Sequence, residues 1–88
     1  MNPYVKTIAP QNDFMLDIIF ENGERRVFDL KPYLLKGVFT RLQNPALFRA
    51  ARVVAGSVEW PGELDLSYDT LYLGSLPALM VDVVPSPI

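Results

Sequence analysis

Phe14-Met15-Leu16-Asp17-Ile18-Ile19-Phe20, then Glu21-Asn22-Gly23, then Glu24-Arg25-Arg26-Val27-Phe28-Asp29-Leu30: this stretch decides the fold. Phe14, Leu16, Ile18 and Phe20 alternate with residues of the opposite face, the period-2 signature of a half-buried strand. The return segment alternates as well, so the register of the pair can be argued. A two-residue turn at Asn22-Gly23 would set Leu16 against Asp29 and Phe20 against Arg25, with the apolar faces out of phase. A three-residue loop with Gly23 in the left-handed conformation instead pairs Leu16 with Phe28 and Phe14 with Leu30. The chemistry of burial therefore selects the three-residue loop. Tyr4-Val5-Lys6-Thr7-Ile8, stopped by Pro10, is expected as a third strand beside this hairpin.

Beyond Leu30 the chain is punctuated by proline and glycine. Pro32 suits a first helical turn, Tyr33-Leu34-Leu35 a short apolar helix, and Gly37 its stop. Asn44-Pro45 is an N-cap followed by proline at the first helical position, predicting a one- or two-turn helix to Ala50 that docks Leu47 and Phe48 on the sheet. Ala51-Arg52-Val53-Val54-Ala55, Gly56 and Ser57-Val58-Glu59-Trp60 form a second predicted hairpin, ended by Pro61-Gly62. Ser67 caps a last short helix from Tyr68 to Leu73, with Asp69 near its positive end and Gly74 as its stop. The sequence thus points to one α+β domain over residues 1–88. Its small antiparallel sheet is built from an N-terminal three-stranded β-unit and a second hairpin, with short helices packed on one face. A Pro-flanked apolar tail, 75–88, is β-like from Ala78 to Val84, either an edge strand or a segment that pairs with another chain, and its Leu79 to Val84 stretch suggests a homodimer by strand pairing.

Composition narrows the chemistry. The chain has 88 residues, half of them apolar, and no cysteine or histidine. Disulfides, thiol nucleophiles, thiolate or imidazole metal sites and every imidazole-based triad are therefore excluded. A domain of this size buries only about 60–65% of the surface of its unfolded chain, so modest stability is expected. No apolar run approaches the roughly 20 residues that span a bilayer, and no leader pattern opens the chain. The expected setting is cytoplasmic, away from membranes.

Charge is distributed unevenly. Residues 31–52 hold Lys31, Lys36, Arg41, Arg49 and Arg52 with no acid, whereas residues 53–88 hold Glu59, Glu63, Asp65, Asp69 and Asp82 with no base. Either the basic segment is a cationic face for an acidic partner or phosphate backbone, or it lies beside the acidic part and is neutralised there. Arg25 and Arg26 would extend such a face if they converge on it. No zinc spacing, recognition-helix signature or phosphate-cradling glycine loop accompanies these bases. The carboxylates admit a Mg²⁺ or acid–base reading, but Asp29 fits an Asx-turn, and Asp65 and Asp69 flank a helix start where acids cap free N–H groups. Trp60, with Pro61, Tyr68, Leu71 and Tyr72, lines either a groove or the core.

The ordered combination Phe20-x-x-Gly23, Phe28-Asp29-Leu30, Pro32-Tyr33-Leu34, Gly37-Val38-Phe39 with Leu42, Asn44-Pro45-x-Leu47-Phe48, Val58-Glu59-Trp60-Pro61 and Asp65-Leu66-Ser67-x-Asp69-x-Leu71-Tyr72 resembles the small bacterial family called domain of unknown function 2442. The resemblance covers about residues 4–73, with Gly23, Phe28, Asp29, Pro45, Trp60, Asp65 and Leu71 as its structural motif. It implies a small α+β domain with an antiparallel sheet and brings no established activity. Some relatives carry a helix-turn-helix domain, for which no room follows Leu73. Others are encoded beside a toxin-like protein, which implies a regulatory or antitoxin-like role. The expected function is a non-catalytic protein-interaction module without cofactor or metal, contacting its partner through Trp60, Tyr68, Lys36, Arg41, Arg49 and Arg52. Nucleic-acid binding through the 31–52 segment is the alternative, and a small carboxylate/Mg²⁺ enzyme the third reading.

Overall fold

The computed structural model describes residues 1–79. Its strands are β1 (Val5–Pro10), β2 (Met15–Phe20), β3 (Arg25–Asp29), β4 (Arg52–Val54), β5 (Ser57–Trp60), β6 (Leu64–Leu66) and β7 (Leu76–Pro77). Among the described residues the short α-helices α1 (Pro45–Phe48) and α2 (Tyr68–Gly74) accompany them, with 3₁₀ turns at Asn12–Phe14, Lys31–Tyr33 and Gly37–Gln43. The strands form two antiparallel sheets, ordered β1-β2-β3-β7 and β4-β5-β6.

The β2–β3 register is the one that apolar alternation selects, with Leu16 opposite Phe28 and Ile19 opposite Arg25. Gly23 makes the turn at φ 90°, donating its N–H to the Phe20 carbonyl at 2.9 Å. Phe14 lies just outside β2 because its own φ is 59°, yet its carbonyl still accepts from Leu30 N–H at 3.0 Å. The alternation buries Leu16, Ile18, Phe20 and Phe28 on one face, where they meet Val58, Trp60, Leu64 and Leu66 of the second sheet and Leu71 of α2.

The two sheets join where Val5 N–H donates to the Gly56 carbonyl at 2.8 Å. Gly56 has φ 80°, and a Cβ there would stand 2.8 Å from Tyr4 Cβ, so only glycine permits this approach. The caps at Asn44 and Ser67 form as expected: the Asn44 side chain accepts from Ala46 N–H, and that of Ser67 from Thr70 N–H.

Four features differ from the sequence expectation. Lys31–Tyr33 forms a single 3₁₀ turn in place of the expected apolar helix, and Gly37 begins the next 3₁₀ run at φ 48° where a helix stop was expected. The second hairpin gains a third strand, β6. Asp65 consequently lies mid-strand opposite Glu59 and caps nothing; Ser67 alone caps α2. Finally, Leu76–Pro77 pairs with β3 at the sheet edge, opposite Val27 and Arg26. The expected pairing segment Leu79 to Val84 lies, beyond Leu79, outside the described residues.

Candidate functional site

Arg26 and Arg49 carry the same group but stand in contrasting surroundings. Arg26 sits opposite Ile18 and so projects from the core-facing side of its sheet. Its guanidinium donates to Ser75 Oγ at 2.7 Å and to the Ser75 carbonyl at 2.8 Å, pairs with Glu24 at 3.3 Å, and lies 4.5 Å from the centre of the Tyr72 ring. Tyr72 O–H donates to Glu24 at 2.6 Å. That bond, with those from Asn22 and Arg26, holds the Glu24 carboxyl below its ordinary pKa, and the same bond raises that of the Tyr72 phenol. This clasp fastens α2 and β7 to the hairpin and removes Arg26 from any cationic surface. Arg25 leaves it too, gripping Asp17 at 2.7 Å.

Neutralisation continues into the basic segment, but only at its ends. Lys31 bridges Asp13 at 3.2 Å and Asp29 at 3.1 Å. Burial works against its charge, yet the two carboxylates outweigh it and raise its pKa. Arg52 pairs with Glu59 across β4–β5 at 3.8 Å. Between them, Lys36, Arg41 and Arg49 meet no carboxylate at ion-pair distance among the described residues. Lys36 stands 5.5 Å from the Tyr33 ring centre, Arg41 donates to the Gly62 carbonyl at 3.3 Å, and Arg49 donates to Asn12 Oδ1 at 3.0 Å. All three are exposed. Two apolar side chains accompany them in the open, Leu35 at 84% and Val38 at 54% exposure.

The remaining expected contact residues separate from this segment. Trp60 is 1% exposed and leaves the contact set. Its indole N–H donates to the Phe48 carbonyl at 2.9 Å, anchoring α1 over β5, because a buried indole needs an acceptor and the end of a one-turn helix offers one. Tyr68 is half-buried, its ring edge-on to Tyr4 with centres 4.6 Å apart. The neighbouring Asp69 charge, with burial, raises its phenol pKa. Gly23, Phe28, Pro45, Trp60 and Leu71 all serve turn, core or helix start. Asp29 accepts from Lys31 N–H at 2.9 Å, forming the expected Asx-turn. Glu59 and Asp65 stand side by side on the outer face of the second sheet, with Arg52 beyond Glu59.

One feature escaped the sequence reading. Gln11, Asn12, Asp13 and Phe14 face Pro45, Phe48 and Arg49 across a groove of about 170 Å³. Asp13 and Phe14 adopt φ of 62° and 59° in succession, conformations that side-chain-bearing residues hold only when their surroundings impose them. Asn12-Asp13 after Pro10 is the signal that a left-handed turn was available there.

Among the described residues no helix is long and apolar enough to cross a membrane, and no group of three or more acidic, histidine or cysteine side chains could hold a metal ion. No curated protein and no solved structure matches the chain. The profile of one family, described as protein of unknown function (DUF2442), matches residues 5–77, from β1 to β7, and the chain belongs to that family.

Proposed function

We propose that this domain is a non-catalytic protein-interaction module, regulatory or antitoxin-like in role, that receives an acidic partner on the segment from Leu35 to Arg49. The observation that supports the reading is the pairing of exposed Leu35 and Val38 with three cations that have no carboxylate counterpart among the described residues. Apolar anchors supply affinity, and surrounding charge supplies orientation and encounter rate. The segment is anchored by its own buried Leu42 and Phe48, the latter's carbonyl held by the Trp60 indole, which favours a preorganised surface and a low ordering cost on binding. Trp60, being buried, has no part in this surface, and the charge of Arg52 is paired with Glu59.

The test is affinity capture on the tagged full chain from its own host, with and without nuclease, alongside a Lys36→Glu/Arg41→Glu variant. One stoichiometric protein that survives nuclease and is lost with the variant is the expected result. Capture of nucleic acid alone, with binding that falls steeply as salt rises, would replace this reading with the phosphate-backbone alternative. Capture unaffected by the variant would remove the segment from the interaction.

A further inference from the structure

The groove between Asn12–Phe14 and α1 has the composition of a small recognition pocket. Phe14 and Phe48 meet edge to face with centres 5.2 Å apart, and with Pro45 they supply apolar lining. Its volume of about 170 Å³ matches on the order of five or six waters, enough for one aliphatic side chain. The polar groups lie together on its lining. Arg49 donates one N–H to Asn12 Oδ1, which fixes the amide and leaves its NH₂ donors uncommitted by that bond. The acid in the lining, Asp13, does not neutralise Arg49: its carboxylate and its carbonyl are both held by Lys31 Nζ, at 3.2 and 3.0 Å.

The strained turn is pinned by its neighbours. Gln11 N–H donates to the Met15 carbonyl at 2.7 Å and Leu30 N–H to the Phe14 carbonyl at 3.0 Å. Two successive left-handed residues are thus held in place on the side of the groove that carries Asn12. Strain maintained by surrounding structure is the pattern of a preorganised site.

We infer that this groove seats a carboxylate-bearing residue of a protein partner together with the aliphatic side chain next to it. The Arg49 guanidinium and the Asn12 amide each donate to one carboxylate oxygen, and the aliphatic group lies against Phe14, Phe48 and Pro45. A single cation matches a singly charged carboxylate, whereas a phosphate dianion would face Asp13 with one counter-charge. The inference rests on the interaction-module reading and names the anchor within it.

The test is a titration of the ¹⁵N-labelled full chain with the blocked dipeptide Ac-Asp-Leu-NH₂, followed by amide shifts. Saturable shifts at Asn12, Asp13, Phe14, Phe48 and Arg49, with Kd on the order of 1–10 mM for so small a ligand, are expected. Ac-Asn-Leu-NH₂ should bind about tenfold more weakly, as should the aspartyl peptide to Arg49→Gln, since each removes a charge-assisted hydrogen bond. Arg52→Gln, which removes equal charge elsewhere, should change nothing. Absent or scattered shifts, equal binding of the asparaginyl peptide, or the same shifts from inorganic phosphate would overturn the proposal. Capture of a partner that depends on Lys36 and Arg41, from a chain whose groove ignores the dipeptide, would sink the groove and leave the interaction module standing. A seated dipeptide without any such partner would do the reverse.

Discussion

The Arg26 clasp and the Lys36–Arg49 segment use the same kinds of residue to opposite ends. At the clasp the cation is sunk to 14% side-chain exposure and surrounded by a carboxylate, an aromatic face, a hydroxyl and a carbonyl. In the segment the cations are exposed and meet no carboxylate among the described residues: Lys36 stands near an aromatic ring, Arg41 donates to a backbone carbonyl and Arg49 to a side-chain amide. A desolvated charge must be fully compensated or it destabilises the fold. An exposed one costs little to leave unpaired and remains available. The contrast therefore separates charges that build the domain from charges that are free to serve it, and it can be broken by mutation.

The largest effect is expected at the clasp. Arg26→Ala would take two hydrogen bonds from Ser75 and an ion pair from Glu24, and strip the Tyr72 ring of its cation. We expect a loss of about 2–3 kcal/mol in denaturant-unfolding free energy, from the hydrogen bonds to a charged group and the lost packing. A loss below about 0.5 kcal/mol would mean that the clasp is ornamental and the contrast false.

Next comes the helix that the clasp fastens. Gly74 closes α2, and a Cβ there would fall 2.8 Å from Phe28 Cε2. In an exposed helix Gly→Ala stabilises by up to about 1 kcal/mol; here overpacking against a buried ring should reverse the sign. We expect Gly74→Ala to destabilise by about 1–2 kcal/mol, read from the same unfolding curves. Stabilisation would show that Phe28 yields easily and that α2 is loosely seated.

How much of this was legible beforehand follows from how local each cause is. The β2–β3 register could be derived because face alternation and Gly23 lie within one hairpin, and the caps at Asn44 and Ser67 act within three residues. β6 could not be, since Leu64-Asp65-Leu66 is too short to show a period and its place is set by pairing with β5. Arg26 follows the alternation of its strand onto the core face, where a charge was not expected, because the groups that compensate it lie far along the chain at Tyr72 and Ser75. The basic run in 31–52 was plain in the sequence. Which of its members are neutralised was not, because Asp13 and Glu59 reach Lys31 and Arg52 only through the folded sheets. The groove was hidden for the same reason: its two walls are separated by the whole of β2, β3 and the 3₁₀ turns.

A smaller effect is expected from pH, and it sharpens the account of the clasp. Glu24 has its pKa lowered below 4.5, first by the Tyr72 hydrogen bond and then by that from Asn22. Its contribution is therefore full above that ordinary value and is lost as pH falls through the lower folded value. Tyr72 is raised above 10.0, first by its bond to Glu24, so its contribution is full below that value and fades as pH rises through the folded one. In Tyr72→Phe both limbs should flatten. The stability difference between wild type and variant, measured from about pH 3 to 7, should shrink toward the acid end. A constant difference would unlink the bond from the titration.

The smallest stability effect is predicted where the functional effect should be greatest. Arg41→Ala/Arg49→Ala removes two cations whose hydrogen bonds among the described residues are to one backbone carbonyl and one side-chain amide, both at the surface. Their loss should shift the unfolding free energy by no more than about 0.5 kcal/mol, while capture of an acidic partner falls by tenfold or more. The opposite pattern is expected of Arg26→Ala at a temperature where it remains folded: weaker stability with partner capture intact. Should Arg41→Ala/Arg49→Ala destabilise the domain as much as the loss of Arg26 does, the segment is part of the framework. The unpaired cations would then have to be explained by how the loop from Gly37 to Gln43 is held, and the case for a partner surface would rest on Leu35 and Val38 alone.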